Sequence, residues 1–268
     1  IPRIKFKSKM KDYYKKAGIP TAHFHMVDTE ENCLAFAKEV GYPVVAKPDN
    51  GVGASHTFKI TSDEEMKTFF EHKWPDTVYI MEEYIWGEVN SYDAIIDSNG
   101  KPMFETGNVS PVSIMDIVNE QQSSLFYILK KLPSDTRKAG RATVKAFGVK
   151  SRFVHFEFFR LQRDQEGLGK AGDLVALEVN MRPSGGFTPD MINFAHSTDV
   201  YKIWADMIAF DETTMPAGAS AYCAFVGRRD GKDYVLDDAA LSGKYSKQIC
   251  MEDRMPDALS GAMGNRMY

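Results

Sequence analysis

The sequence predicts an α+β fold built from antiparallel sheets, and three observations support this class. Strand-like and helical segments mix without the regular strand–helix alternation of parallel-sheet proteins. Strand-like segments instead follow one another as hairpins, and Asn99-Gly100 is a hairpin turn signal. The chain has 268 residues, 43% hydrophobic and 26% charged, which is enough to bury a sizeable core in one large domain or two modest ones.

The predicted helices begin at capping residues and end at glycine or proline. The first covers 7–17 and has a basic face. The second covers 30–40, follows Asp28 or Thr29 as its cap and is closed by Gly41. Further helices are predicted from Thr61 or Ser62 to about 72, over 133–147 and, as one long helix rich in Met and aromatic residues, over 190–210.

The predicted strands are apolar runs bounded by turn residues. Because a polar turn joins 152–163 to 174–180, these two strands are predicted to pair as a hairpin. The full set of predicted strands is 42–47, 56–60, 77–82, 89–97, 102–109, 152–163, 174–180, 222–228 and 247–251.

Charge, cysteine usage and hydropathy argue against several classes of protein. The formal net charge is −4, so the chain has no global basic field for nucleic acid. Cys33, Cys223 and Cys250 lie far apart, which argues against a disulfide framework or a structural zinc site and is compatible with the cytoplasm. No stretch approaches the roughly 20 apolar residues of a membrane helix, so no membrane partner is expected. The chain starts at Ile1 without an initiator Met or signal peptide, and we expect an N-terminal domain to precede it.

A lysine followed by small residues forms the first candidate site. Lys47 ends a predicted strand, and Gly51, Gly53, Ala54 and Ser55 follow in the next loop. Small residues let backbone N–H groups approach a phosphate, and the lysine supplies a point positive charge. The order differs from that of a Walker A loop, where the lysine follows the glycines. An ordinary hairpin loop is the alternative.

Acidic residues inside apolar strands form the second candidate site. Glu157 and Glu178 lie on the two strands of the predicted hairpin, and burying them costs several kcal/mol unless they are paired or metal-bound. Asn180 shares the face of Glu178, and Arg182 continues that row. Two carboxylates and an amide oxygen are hard ligands suited to Mg²⁺, and the guanidinium suits phosphate or a developing oxyanion. A buried Glu–Arg salt bridge is the alternative.

A third candidate is the linker that follows the predicted strand 77–82. Its main-chain groups can hydrogen-bond an adenine edge, and a carboxylate there can hold ribose hydroxyls. A solvated strand end is the alternative. The residues concerned are Glu82, Glu83, Tyr84, Ile85 and Glu88.

Taken together and in this order, these features resemble the ATP-grasp superfamily of carboxylate–amine ligases, including the large subunit of carbamoyl-phosphate synthase. The resemblance covers about 5–210, and the opening helix followed by Gly18-Ile19-Pro20 is similar to an element of that superfamily. It implies the ATP-grasp fold, in which two α+β subdomains with antiparallel sheets grip ATP between them. The segments that carry it are 44–48, 81–85, 156–158 and 178–186.

The resemblance also implies roles for individual residues. Lys7, with Lys9 as the alternative, and Lys47 would contact the nucleotide phosphates. Arg182 would steady the acyl-phosphate transition state, and Glu88 is the nearest carboxylate to the position of the ribose ligand. Glu82, Tyr84 and Ile85 would line the adenine pocket, while Glu157, Glu178 and Asn180 would hold one or two Mg²⁺ ions, with Mn²⁺ as the alternative metal.

We therefore expect an ATP- and Mg²⁺-dependent ligase that activates a small-molecule carboxylate for capture by an amine. A nucleotide-binding regulatory module, an inactive fragment and an ATP-grasp kinase are the rival functions, and a homodimer is one option for its assembly. The expected divisions are 1–28 for the linker and first helix, 29–88 for the small subdomain, 89–212 for the large subdomain with the metal site, and 213–268 for the C-terminal strands.

Overall fold

The structure, a computed structural model, describes residues 2–51, 56–113, 117, 120–216 and 218–268. The described chain is α+β, and the strands of both its sheets pair antiparallel, as the sequence predicts. Gly53, Ala54 and Ser55 of the predicted phosphate loop lie outside the described residues.

In the part of the chain that the structure describes, the smaller sheet has four strands in the order β1-β4-β2-β3, and helices α2 and α3 pack on one face of it. Thr29 caps α2 by accepting a hydrogen bond from the backbone of Asn32, and Ser62 caps α3 in the same way. Because side chains alternate along a strand, Lys47 and Glu82 lie on the face opposite the helices. The elements are β1 (Phe24–Met26), α2 (Glu30–Val40), β2 (Val44–Pro48), β3 (Phe58–Ile60), α3 (Asp63–His72) and β4 (Tyr79–Glu83).

Among the described residues, the larger sheet has nine strands in the order β10-β9-β5-β7-β8-β11-β13-β12, with β6 paired to β5 beside this path. The pairing of β9 with β10 is the hairpin predicted from the sequence. The strands are β5 (Gly87–Ile96), β6 (Pro102–Thr106), β7 (Asn108–Ser110), β8 (Ser124–Ile128), β9 (Arg152–Leu161), β10 (Leu174–Asn180), β11 (Cys223–Arg228), β12 (Asp253–Arg254) and β13 (Arg266–Met267).

Two helices, α1 (Lys7–Ala17) and α4 (Ser134–Phe147), pack against the back face of the larger sheet. Tyr92 is fully buried there, and its hydroxyl donates a hydrogen bond to Glu105. Gly140 of α4 lies directly against the Tyr92 ring, since a Cβ on this glycine would stand 2.1 Å from the ring's Cγ atom. The absence of a side chain at this position therefore allows α4 to approach the sheet.

The front face of the same sheet is polar in its middle and apolar at both ends. Helices α5 (Thr188–His196) and α6 (Val200–Phe210) cover Ile95 and Phe153 at one end. At the other end Leu161 and Val175 belong to a second apolar cluster, which also includes Ile85 of the linker between the two sheets. The polar side chains between these clusters form the candidate site.

Two predictions about local structure were wrong. The single helix predicted over 190–210 is divided into α5 and α6. Ser197 adopts a left-handed conformation with φ 47°, Asn193 accepts a hydrogen bond from the backbone of Val200, and Asp199 caps α6. These local side-chain bonds end one helix and begin the next. The strand predicted over 247–251 is instead a turn with irregular chain, after α7 (Asp238–Lys244) and before α8 (Asp257–Met263).

The proposed segment boundaries stay a prediction, although β1 of segment 1–28 pairs within the smaller sheet. The strands β11 to β13 of segment 213–268 extend the larger sheet. Within the described ranges, the helices are too short or too polar to cross a membrane.

Candidate functional site

The polar centre of the site is a pair of carboxylates on neighbouring strands. Glu157 of β9 and Glu178 of β10 are direct partners in the antiparallel register, and Asn180 pairs with His155 beside them. Paired residues have Cβ atoms about 5 Å apart, and like charges in this arrangement destabilise a sheet. Both side chains are largely buried, with 17% and 18% exposed. The pair therefore needs neighbouring positive charge.

One source of that charge is the protonated ring of His155. Its Nδ1 lies 2.8 Å from Asp93 Oδ1 and its Nε2 lies 3.1 Å from Glu157 Oε1. The second oxygen of Asp93 accepts a hydrogen bond from the hydroxyl of Ser91, which in turn accepts one from the backbone of Asn108. Burial alone would lower the pKa of His155, but Asp93 and Glu157 raise it to about 10. The imidazolium is thus held between two carboxylates at neutral pH.

A second source of positive charge is Lys7, at the start of α1. Its Nζ atom lies 3.2 Å from Glu178 Oε1 and donates a hydrogen bond of 2.7 Å to the carbonyl of Gly51. The alternative lysine of the sequence prediction, Lys9, is exposed on the same helix. Lys7 therefore connects the predicted phosphate loop with the carboxylate pair.

The third contribution comes from Arg182, just beyond β10. This residue is exposed, and its Nη1 donates a hydrogen bond to the carbonyl of Pro183. Burial would raise the pKa of Glu157, but His155, Lys7 and Arg182 together lower it. Arg182 thus lies close enough to act on Glu157 electrostatically, with its side chain accessible from solvent.

A separate group of buried charges lies on the smaller sheet. Glu82 binds two lysines, with Oε1 2.6 Å from Lys11 Nζ and Oε2 2.5 Å from Lys47 Nζ. Lys11 also donates a hydrogen bond to the carbonyl of Ala22. Burial alone would raise the pKa of Glu82, but the two ammonium groups lower it to about 2. Burial lowers the pKa of Lys11 in spite of Glu82, so the carboxylate is the more firmly ionised partner.

The linker between the two sheets joins these two groups of charges. The carbonyl of Tyr84 accepts a hydrogen bond from Gln165, which lies in the β9–β10 turn. Ile85 is buried in the apolar cluster at the linker end of the larger sheet. Glu83 accepts hydrogen bonds from the backbone and ring of His23. The linker thus presents a buried apolar side chain beside backbone polar groups, a combination that suits a planar heterocycle.

Glu88, one of the predicted nucleotide ligands, lies away from the carboxylate pair. It is opposite Arg160 in the β5–β9 register, and strand alternation puts its side chain on the other face from Ser91 and Asp93. Burial and the charge of Glu88 raise the pKa of Tyr127 on β8. Glu88 therefore lies near that strand.

The structure brings most of the predicted residues into two adjoining groups. Sequence reasoning missed two members, Lys11 and Asp93. Lys11 had a recognisable signal, because it follows Lys7 by four residues and therefore shares its face of α1. The first group contains Lys7, Gly51, Asp93, His155, Glu157, Glu178, Asn180 and Arg182, and the second contains Lys11, Lys47 and Glu82.

The oxygen atoms of the first group fit a hard divalent cation. Glu157 and Glu178 supply carboxylate oxygens side by side, and Asn180 follows on the same strand face. Mg²⁺ prefers such ligands and usually keeps several waters and substrate phosphates in its remaining positions.

Part of the chain matches a known sequence family. Residues 3–85 match the family described as carbamoyl-phosphate synthase L chain, ATP binding domain. The chain is 26% identical over 192 residues to the L-arginine-specific L-amino acid ligase of Bacillus subtilis, a match that covers 68% of this chain and 44% of that protein. It therefore spans less than half the length of this relative.

Solved structures share the fold over most of the chain. An L-amino acid ligase from Bacillus licheniformis superposes with a TM-score of 0.69 at 16% identity, covering 95% of this chain and 61% of that one. The biotin carboxylase domain of the Hydrogenobacter thermophilus 2-oxoglutarate carboxylase, crystallised with MgADP, ADP and bicarbonate, gives a TM-score of 0.65 at 19% identity, covering 83% and 49%.

Proposed function

We propose that this chain, which belongs to the ATP-grasp superfamily, binds Mg-ATP and activates a small-molecule carboxylate for capture by an amine. The α+β fold expected from the sequence is confirmed by the shared structures, and the family match over 3–85 supports the superfamily. One relative is an L-arginine-specific L-amino acid ligase, and the biotin carboxylase domain that shares the fold was crystallised with MgADP and ADP.

The main support for the proposal is the pair of carboxylates on β9 and β10. Glu157 and Glu178 face each other across two paired strands, within reach of Lys7 and Arg182. Two adjacent carboxylates with an amide oxygen beside them are the kind of oxygen ligands that Mg²⁺ prefers. The basic side chains beside this pair of carboxylates support a site for a metal ion together with a phosphate chain.

The chemistry assigned to the site is phosphoryl transfer followed by acyl transfer. A substrate carboxylate oxygen attacks the γ-phosphorus of ATP, so that ADP leaves and an acyl-phosphate forms. The amine then attacks the acyl carbon, phosphate leaves and an amide remains with loss of a proton.

The residues of this chain contribute position and charge. Lys47 and Lys7 hold the phosphate chain, and Arg182 stabilises negative charge that develops during transfer. Glu157, Glu178 and Asn180 would hold Mg²⁺, with Mn²⁺ as the alternative, and the ion would supply charge neutralisation on the phosphate oxygens. His155 fixes the orientation of Glu157 through a hydrogen bond.

Phosphate release gives the decisive test. The protein is incubated with ATP, Mg²⁺ and pairs of amino acids, with arginine in the first panel because one relative is an L-arginine-specific L-amino acid ligase. A ligase releases phosphate only when a carboxylate and an amine are both present, and mass spectrometry detects the amide. Product formation that survives Glu178→Gln without loss would contradict the proposed site.

The same experiment separates the rival functions. A kinase transfers phosphate to a substrate without an amine, and that stable phosphorylated product is visible by mass spectrometry. A regulatory module or an inactive fragment shows ATP-dependent protection against thermal unfolding with no turnover. Gel filtration with and without Mg-ATP tests the homodimer. Fractionation of cells tests the expected cytoplasmic location.

A further inference from the structure

Three side chains with metal-binding atoms meet on the helix side of the smaller sheet. His25 lies on β1, Asp28 follows that strand, and Cys33 lies on α2. The imidazole, the carboxylate and the thiol each offer one ligand atom, and these three atoms all lie within 4.8 Å of one another. His25 Nε2 and Asp28 Oδ1 are 2.9 Å apart.

This group is separate from the proposed nucleotide site. The ring of Phe36 on α2 stacks on that of His25 with centroids 6.0 Å apart, and Cys33 is buried in the core between α2 and the sheet. Lys47 and Glu82 lie on the opposite face of the same sheet. An ion bound by the group would therefore join β1 to α2 and would not touch the nucleotide.

The three ligand types indicate which ion the group suits. A thiolate and an imidazole are ligands of Zn²⁺ and related transition metals, whereas Mg²⁺ and Ca²⁺ prefer oxygen ligands. Zn²⁺ commonly takes four ligands, so three protein atoms leave one position for water. Neighbouring ligand atoms around tetrahedral Zn²⁺ stand about 3.5 Å apart, so the present atoms would have to move by roughly 1 Å.

The group combines one fixed ligand with two that can adjust. Cys33 is fully buried, whereas 31% of the His25 side chain and 49% of the Asp28 side chain are exposed, so an ion can approach from solvent. The backbone of Thr29 and the amide of Asn32 donate hydrogen bonds to the Asp28 carboxylate, and supporting bonds of this kind are typical of metal ligands. Hydrogen bonds from His25 and Asn32 lower the pKa of Asp28 to about 2, so this ligand is already ionised.

The alternative interpretation is a hydrogen-bonded cap at the start of α2. His25 then donates to Asp28, and Cys33 is an ordinary core side chain. Burial raises the pKa of the Cys33 thiol to about 11, although the backbone N–H of Asp28 and the charge of Lys73 oppose this shift. The thiol is therefore protonated in the absence of metal, and an ion that binds the sulfur must displace this proton into solvent.

We propose that His25, Asp28 and Cys33 form a Zn²⁺ site that ties β1 to the start of α2. The ion takes a ring nitrogen of His25, a carboxylate oxygen of Asp28 and the Cys33 thiolate, with water in the fourth position. The wide spacing of the three cysteines argues against a site built from several thiolates, but this site needs only one. The inference goes beyond the proposed function and does not depend on it.

Co²⁺ is the sharpest probe, because it accepts the ligands of Zn²⁺ and is coloured. A thiolate bound to Co²⁺ gives a charge-transfer absorption band in the near ultraviolet, which carboxylate and imidazole ligands do not give. The band therefore distinguishes this site from the proposed Mg²⁺ site at Glu157 and Glu178. The protein, without a histidine tag and reduced with a phosphine, is titrated with Co²⁺, and competition with a chromophoric chelator gives the Kd for Zn²⁺.

Three variants each remove one ligand: Cys33→Ala, His25→Gln and Asp28→Asn. Their matched controls are Cys250→Ala and His72→Gln, which remove an exposed thiol and an exposed imidazole elsewhere in the chain. Circular dichroism confirms that each variant is folded before titration. If Cys33→Ala does not fold, the partly exposed ligand His25 is tested by His25→Gln.

We expect the wild type to show the thiolate band and Cys33→Ala to lack it. His25→Gln and Asp28→Asn should each raise the Kd for Zn²⁺ at least about tenfold. The two controls should leave the band unchanged and the Kd within about twofold.

Three results would overturn the inference. Absence of the band from the wild type would show a helix cap only. A band lost in Cys250→Ala and kept in Cys33→Ala would place the metal at the exposed thiol. An unchanged Kd for Zn²⁺ in His25→Gln and Asp28→Asn would show that these side chains are not ligands.

Discussion

A test of the packing behind the site is the substitution Gly140→Ala. On helix propensity alone, alanine in the interior of α4 would stabilise the protein by about 1 kcal/mol. The structure predicts the opposite, because the added Cβ would stand 2.1 Å from Tyr92 Cγ and 2.3 and 2.5 Å from its Cδ atoms. Ordinary carbon contacts are about 3.5–4.0 Å, so either the helix or the ring must move by more than about 1 Å.

The ring cannot move freely, because the Tyr92 hydroxyl is bonded to Glu105 at 2.7 Å. Overpacking of this kind costs about 1–3 kcal/mol or more, and we expect a net destabilisation of about 2 kcal/mol after the gain in propensity. For a chain of this size the melting temperature should fall by roughly 4–8 °C.

Urea unfolding followed by far-ultraviolet circular dichroism measures the change in the free energy of unfolding. The control is Gly243→Ala, since Gly243 lies inside helix α7 and an added Cβ there would meet no atom within 4 Å. That variant should be unchanged or stabilised by up to about 1 kcal/mol. If Gly140→Ala raised the unfolding midpoint as the control does, the close approach of α4 to Tyr92 would be refuted.

Three further predictions concern the site and its support. Because the pKa of Glu82 is lowered from 4.5 to about 2, its ionisation stabilises the fold above pH 4.5 by about 3 kcal/mol, and this contribution is lost as the pH falls through 2. The difference in unfolding free energy between wild type and Glu82→Gln should shrink over that range, and a difference independent of pH would contradict it. Mg²⁺ is expected to raise the affinity for ATP about tenfold over that measured in EDTA, and Glu178→Gln should abolish this gain. Isothermal titration measures both affinities, and a variant that keeps the gain would exclude Glu178 as a metal ligand. Thr29→Ala should cost about 1 kcal/mol in urea unfolding, because Asn32 loses the hydrogen bond that caps α2, whereas Thr29→Ser should cost little.

Local patterns were sufficient to predict the hairpin of Glu157 and Glu178. A short polar turn separates the two strands, so antiparallel pairing is the simplest arrangement, and the observed register makes these residues partners. The contact of Asp93 with His155 was not predictable in this way. It depends on the register of β5 against β9, two strands separated by 55 residues of chain in which β6, β7, β8 and α4 form.

The helix break at Ser197 was missed for a different reason. The apolar spacing over 190–210 continues through the break, and the break itself depends on side chains that bond the backbone locally. Asn193 and Asp199 favour both helix ends and solvated helix faces, so their presence does not decide between one helix and two. The apolar spacing indicates helix on both sides of the break and gives no information about where one helix ends and the next begins.

The position of α1 has a consequence for the order in which the protein assembles. Lys7 and Glu178 are separated by 171 residues, whereas the smaller sheet pairs segments within 24–83. Bringing distant segments together costs chain entropy before any contact compensates it. The smaller sheet can therefore close while the ribosome is still adding the rest of the chain, but the acidic strand β10 emerges much later. The first helix must wait for β10 to complete its contact with Glu178, so the ligand site is completed only after the smaller sheet can already have formed.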